Sequence, residues 1–103
     1  MSVLMEFAMF PTDKGESVSP YVSRIIKMID ESGLEYKLTP MGTVVEAGSI
    51  QEILGIIEKA HKVLDDDCSR IYSTIKLDIR KGAENRLEGK VKSVEEKIGK
   101  VKK

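Results

Sequence analysis

The sequence has no tryptophan, one cysteine, one histidine and two side-chain amides, Gln51 and Asn85, among its 103 residues. A lone thiol, Cys68, excludes an internal disulfide and any CxxC metal or redox pair. A single histidine, His61, leaves zinc ligation and a serine or cysteine triad without their usual parts. Apolar runs extend only a few residues, far below the ~20 that a membrane-spanning helix needs, so no membrane insertion is expected. Charge of one sign is missing too. Seventeen basic residues balance seventeen acidic ones, and without a net field to gather phosphate backbones no nucleic acid partner is expected. The start, "MSVLMEF", lacks the basic segment of a secretion signal, which makes a cytoplasmic location the expectation. Scarce amides beside abundant Lys and Glu give a thermophile-like composition.

What remains suffices for one modest core. Apolar residues make up 41% and charged residues 33% of the chain, and the length predicts a single domain over residues 1–103. "VLMEFAMF", residues 3 to 10, alternates, with Val3, Met5, Phe7 and Met9 on one face and Leu4, Glu6, Ala8 and Phe10 on the other. Ser19-Pro20 reads as an N-cap followed by proline at the first helical position, opening a helix whose stripe is Val22, Ile25, Ile26 and Ile29 and which stops at Gly33. "LEYKLT" and "TVVEA" form a hairpin about Pro40-Met41-Gly42. Ser49 with Glu52 is a capping box for a second helix, on whose apolar face His61 falls. "RIYSTIKLDIR", residues 70 to 80, predicts a strand with Ile71, Ser73, Ile75, Leu77 and Ile79 toward the core. A last helix carries Leu87, Val91, Val94, Ile98 and Val101, with Glu88–Lys92 and Glu96–Lys100 as i,i+4 pairs.

The order β-α-β-β-α-β plus a C-terminal helix predicts an α+β, ferredoxin-like βαββαβ fold with a four-stranded antiparallel sheet. Both main helices then cover one sheet face. The other is bare and carries Leu4, Phe10 and Val44, so a second subunit is expected to cover it. On that face Glu6 and Glu46 project near Tyr72, Thr74 and Lys76, a polar spot on an apolar sheet that has the make-up of a small-molecule site. Equally, both carboxylates could be rim residues paired with Lys76 or across subunits. Asp65, Asp66 and Asp67 lack the spacing of a calcium loop and read as a solvated helix end, and Cys68 reads as inert. The strand aromatics that RNA-binding domains of this fold use for stacking are absent beyond Tyr72.

The segments "MEFAMFP", "SVSPYV", "SGLEYKLTPMGTVVEA", "AHKVL", "RIYSTIKLDIRKG" and "KVKSVEEKI" together resemble the small thiamine-binding protein family, related to the YkoF hydroxymethylpyrimidine/thiamine-binding proteins. "PMGTVVEA" is the most specific piece, and Ala47 stands where the family usually has Gly. The resemblance implies homodimers or homotetramers that bind thiamine or hydroxymethylpyrimidine without transforming it, with no cofactor and no metal. An aminopyrimidine donates an amine to a carboxylate and accepts from hydroxyls, and a thiazolium cation suits carboxylate, aromatic and thioether neighbours. On that basis Glu6 or Glu46 would meet the amine or cation, Thr43 and Ser19 would supply hydroxyls, and Met41 and Tyr21 apolar walls. Strict alternation points Thr43 away from Glu46, so one site uses both only if the strand bends or subunits share it. The rival expectation is a structural or regulatory oligomerisation module with no ligand.

Overall fold

The alternation at the start of the chain becomes β1 (Ser2–Pro11), in which Val3, Met5, Phe7 and Met9 are all buried. β3 (Gly42–Ala47) runs antiparallel beside it, with Val3 opposite Ala47, Met5 opposite Val45 and Phe7 opposite Thr43. Residues directly opposite in a ladder share a face, so these pairs form the floor of the core. β2 (Glu35–Thr39) and β4 (Ile71–Arg80) complete a four-stranded antiparallel sheet of order β2-β3-β1-β4. In this computed structural model, which describes residues 1–102, the ferredoxin-like arrangement is the one expected from the element order.

α1 (Ser19–Ser32) and α2 (Ile50–Asp65) cover the core face, burying Ile25 and Ile29 from the first and Ile53, Ile56, Ala60 and Leu64 from the second. Each buried isoleucine or leucine among them contributes about 1.5–3 kcal/mol. α1 begins one residue earlier in capping terms than expected. Val18, not Ser19, is the N-cap, and its carbonyl accepts from the amides of Tyr21 and Val22, while Ser19 makes no side-chain cap. Proline still occupies the first turn, where its missing N–H costs nothing. Gly33 ends the helix at φ 79, a left-handed position that glycine takes without a Cβ clash. Ser49 caps α2 as expected, its hydroxyl accepting from the Glu52 amide at 3.2 Å.

Four expectations are corrected. The second sheet face is not bare, because α3 (Arg86–Ile98) folds back over it against β1, β2 and β3; Leu4 and Val44 are half-buried in consequence. Next, the row Ile75, Leu77 and Ile79 does not enter the core. The row points to the helix side, opposite Phe7, Met5 and Val3. Neither α1 nor α2 reaches β4, however, and the three side chains are 44%, 42% and 46% exposed. Finally, His61 is exposed, facing Asp65 at 3.4 Å, and neither Glu88–Lys92 nor Glu96–Lys100 closes as an ion pair among the described residues.

The loop after β1 is tied to the approach of β4. The Asp13 carboxylate accepts from the Ser69 hydroxyl at 2.6 Å and the Ser69 amide at 3.0 Å, and these bonds hold its pKa down at about 2 against an ordinary 3.8. A carboxyl depressed by folding stabilises the fold fully above its unfolded pKa and loses that contribution as pH falls through the folded one. Asp13→Asn should therefore flatten the loss of thermal stability between about pH 4 and pH 2 relative to wild type, read as Tm against pH. An unchanged slope would mean that the Asp13–Ser69 tie does not survive in solution.

Candidate functional site

The pleat of β3 sends its two notable polar residues to opposite sides. Thr43 lies on the helix face, 4% exposed, while Glu46 lies on the α3 face. Beside Thr43 is a cavity of about 250 Å³ between the β2–β3 hairpin, the N-terminal half of α1 and the end of β1. Its walls include Phe7, Met9, Val22, Ile26, Leu38 and Met41, and no titratable side chain lines it. The hairpin that roofs it is stiffened by Thr39, whose hydroxyl donates to the Gly42 carbonyl at 2.8 Å and accepts from the amides of Met41 and Gly42. Glycine at 42 permits the close approach of hairpin to β1, since a Cβ there would sit 3.0 Å from the Phe7 carbonyl oxygen. Thr43 lines the cavity, and its hydroxyl has no hydrogen-bond partner among the described residues, which leaves its donor and acceptor capacity open to an occupant.

Glu46 is committed elsewhere. Its carboxylate accepts from the Ser2 hydroxyl at 2.6 Å, the Arg86 amide at 3.0 Å and the Leu87 amide at 3.1 Å. The residue before α3, Asn85, is in the left-handed region at φ 54 and supplies no side-chain cap. A carboxylate from β3 thus does the capping, satisfying two of the free amides at the helix N-terminus and placing negative charge at the positive end of the helix dipole. The Arg86 side chain, 12% exposed, locks the arrangement: its guanidinium donates to the Ser2 hydroxyl and carbonyl, each at 2.9 Å, to the Asp78 carbonyl, and pairs with the Asp78 carboxylate at 3.0 Å. Partial burial pushes the Glu46 carboxyl up. The Ser2 hydroxyl, the two amides and the Arg86 charge outweigh that and bring it below the ordinary glutamate range.

Of the residues expected at a site, only Met41 and Thr43 meet in the cavity. Met41 is 87% exposed at the hairpin tip, on its rim. Glu6 is on the far sheet face, 3.7 Å from Lys76. Tyr21 lies under the Arg24 guanidinium at 4.9 Å from its ring centre, and Arg24 in turn holds Asp67 through two hydrogen bonds. Ser19 is exposed at the start of α1. Cys68 is buried, and desolvation together with the nearby Asp67 carboxylate raises its thiol pKa, away from reactivity. No cluster of metal-ligating side chains occurs among the described residues. Arg86 and the cavity walls were not expected: nothing about an arginine after Asn85 marks it as a staple, and Val22 and Ile26 look like ordinary core in a helical stripe.

A family model for thiamine-binding proteins matches residues 5–95. The chain belongs to the thiamine-binding protein family. A UPF0045 protein of Methanocaldococcus jannaschii is 38% identical over 94 residues, covering 91% of this chain and 93% of that one. Its relative in Mycobacterium tuberculosis is 32% identical over 95 residues, covering 92% and 93%. Among solved structures, that of the Methanocaldococcus jannaschii protein superposes with a TM-score of 0.79 at 40% identity, over 92% of this chain and 97% of that one. A Thermotoga maritima protein described as a candidate for thiamine biosynthesis or salvage shares the fold, with a TM-score of 0.78 at 22% identity over 91% and 99%. No helix among the described residues of this family member is long and apolar enough to cross a membrane.

Because charge-assisted hydrogen bonds anchor α3, Glu46→Gln should destabilise the protein by about 2 kcal/mol and loosen α3 first. Hydrogen exchange at the Arg86 and Leu87 amides, with chemical denaturation, reads both. Protection at those amides equal to wild type would show that α3 does not depend on this carboxylate.

Proposed function

We propose that the chain binds the aminopyrimidine of thiamine, or free hydroxymethylpyrimidine, in the cavity beside Thr43 and does so without transforming it, as a store, buffer or carrier in the cytoplasm. The observation that carries the reading is a Thr43 hydroxyl with no hydrogen-bond partner among the described residues, on an apolar cavity, within a chain of the thiamine-binding family. A flat heteroaromatic ring gains from the Phe7, Val22 and Ile26 walls, and a hydroxyl both accepts from an exocyclic amine and donates to a ring nitrogen. At about 250 Å³ the space lies below the usual ~300–1,000 Å³ of ligand pockets. That size suits one ring better than a whole two-ring vitamin, leaving a thiazolium at the rim by Met41, a polarisable neighbour for a cation. The lining offers no general acid or base and no cation for a diphosphate, which supports binding over turnover and the unphosphorylated forms over the phosphorylated.

Ser19 and Tyr21, next in sequence to the lining residues Val18 and Val22, would act from the edge of the same site. Glu6 would serve a cationic ligand only on the opposite face, where a homodimer or homotetramer formed over the part that α3 leaves free would enclose it. Glu46 would contribute by holding α3 in place.

Calorimetric titration with thiamine, hydroxymethylpyrimidine and thiamine diphosphate in parallel tests this. Saturable binding is expected for the first two and not for the third. Thr43→Val should weaken it about threefold to tenfold, the worth of one hydrogen bond, with Tm unchanged. No heat from any ligand, with no shift of Tm, would overturn the proposal in favour of an oligomerisation module.

A further inference from the structure

The cavity beside Thr43 is walled by strand backbone as well as by side chains. β1 runs on through Ala8, Met9, Phe10 and Pro11 after its last pair with β3, Phe7 opposite Thr43. In an antiparallel sheet each residue sends its N–H and C=O together to one side of the strand, and the next residue sends its own to the other. Three contacts fix which side each residue of β1 serves. The Phe7 carbonyl faces β3, since its oxygen lies 3.0 Å from where a Cβ of residue 42 would sit. The Ala8 carbonyl faces β4, where it accepts from the Ser73 hydroxyl at 3.2 Å. Thr12, of the same parity as Ala8, donates its amide to the Arg70 carbonyl at 2.8 Å, again on the β4 side. Met9 therefore turns both its N–H and its C=O toward the β3 side, where the ladder has ended.

The hairpin does not take them up. Continued past Phe7, the register would set Met41 opposite Met9. The Met41 amide instead donates to the Thr39 hydroxyl at 3.2 Å, and Pro40, the other turn residue, has no N–H. No backbone bond joins Met9 to the turn among the described residues. Met9 is 6% exposed and lines the cavity with Phe7, Phe10 and Met41. Buried backbone donors and acceptors need partners, and these two open onto the space a ligand would fill.

We propose that the N–H and C=O of Met9 are the edge that reads the ligand, selecting a flat heteroaromatic ring in which a ring nitrogen and an amino group stand side by side. The amide donates to the ring nitrogen and the carbonyl accepts from the amine, two parallel bonds like those a continuing β3 would have made. An aminopyrimidine has such an edge; the assignment rests on the cavity being the site for that ring and names the atoms that select within it. A hydroxyl such as that of Thr43 rotates to suit either a donor or an acceptor and so discriminates poorly between rings. The Met9 pair cannot rotate. A ring that lacks the amine leaves the buried Met9 carbonyl unpaired, and is rejected for that reason.

Hydroxymethylpyrimidine and its analogue with a methyl group in place of the amine test this on the full chain. By calorimetric titration, wild type should bind the amine form about tenfold or more tightly than the methyl form. Thr43→Val should weaken both and leave that ratio unchanged, because the amine is read by Met9. Hydrogen exchange of the unaltered chain gives a second readout: saturating hydroxymethylpyrimidine should slow exchange of the Met9 amide about tenfold or more. Three results would overturn the assignment while leaving the cavity as the binding site. These are equal affinity for the two ligands, a preference that disappears in Thr43→Val, or a Met9 amide whose exchange is unchanged when the ligand is bound. No binding of hydroxymethylpyrimidine by wild type would remove the site itself, and the Met9 assignment with it.

Discussion

The register of β1 against β3 decides the face on which every other side chain of the sheet lies. Val3, Met5 and Phe7 set opposite Ala47, Val45 and Thr43 leave no choice about which side of the sheet each later residue takes. A slip of one residue would turn every one of them over. In the observed register the apolar members stay under the helices, so Thr43 is carried into the core face and Glu46 out of it. Two polar residues three positions apart thus acquire unrelated work: one opens onto a cavity, and the other reaches across to a helix.

The work of Glu46 explains why the second sheet face is occupied by the chain itself. α3 is amphipathic but buries no residue completely, so apolar contact alone gives it little hold. Its start follows a left-handed Asn85 with no cap of its own, and a free helix end would leave amides unsatisfied. The carboxylate of β3, fixed in place by Ser2 and Arg86, supplies what local sequence does not. The same staple binds the beginning of β1 to the end of β4 through Asp78, so one small polar cluster links three strands and a helix.

The fold was largely legible because alternation and helical spacing are local signals. Val3 to Met9 announced a central strand, Gly33 a helix end and Ser49 a helix start, and each is where its neighbours in sequence placed it. The misjudged features depend on distances between elements. Periodicity says that Ile75, Leu77 and Ile79 share a face, but not how far sideways two helices extend over it. A serine before a proline looks like a cap, yet the backbone turned one residue earlier at Val18. The site was the least legible part. Thr43, Met41 and Glu46 stood out as polar or conspicuous residues, whereas the cavity is bounded by Phe7, Val22 and Ile26, whose types are those of any core. Whether such residues close up or leave a space is set by how a hairpin held near β1 at Gly42 meets the first turns of α1.

We propose that the two faces of the sheet divide the work, with ligand recognition on the Thr43 side and helix anchoring on the Glu46 side. Amide correlation spectra recorded while hydroxymethylpyrimidine is added test it most directly. Shifts are expected to concentrate at Phe7, Val22, Ile26 and Thr43, with the amides of Arg86 and Leu87 unmoved. Shifts centred on Arg86, Leu87 and Glu46, with those cavity residues silent, would contradict it.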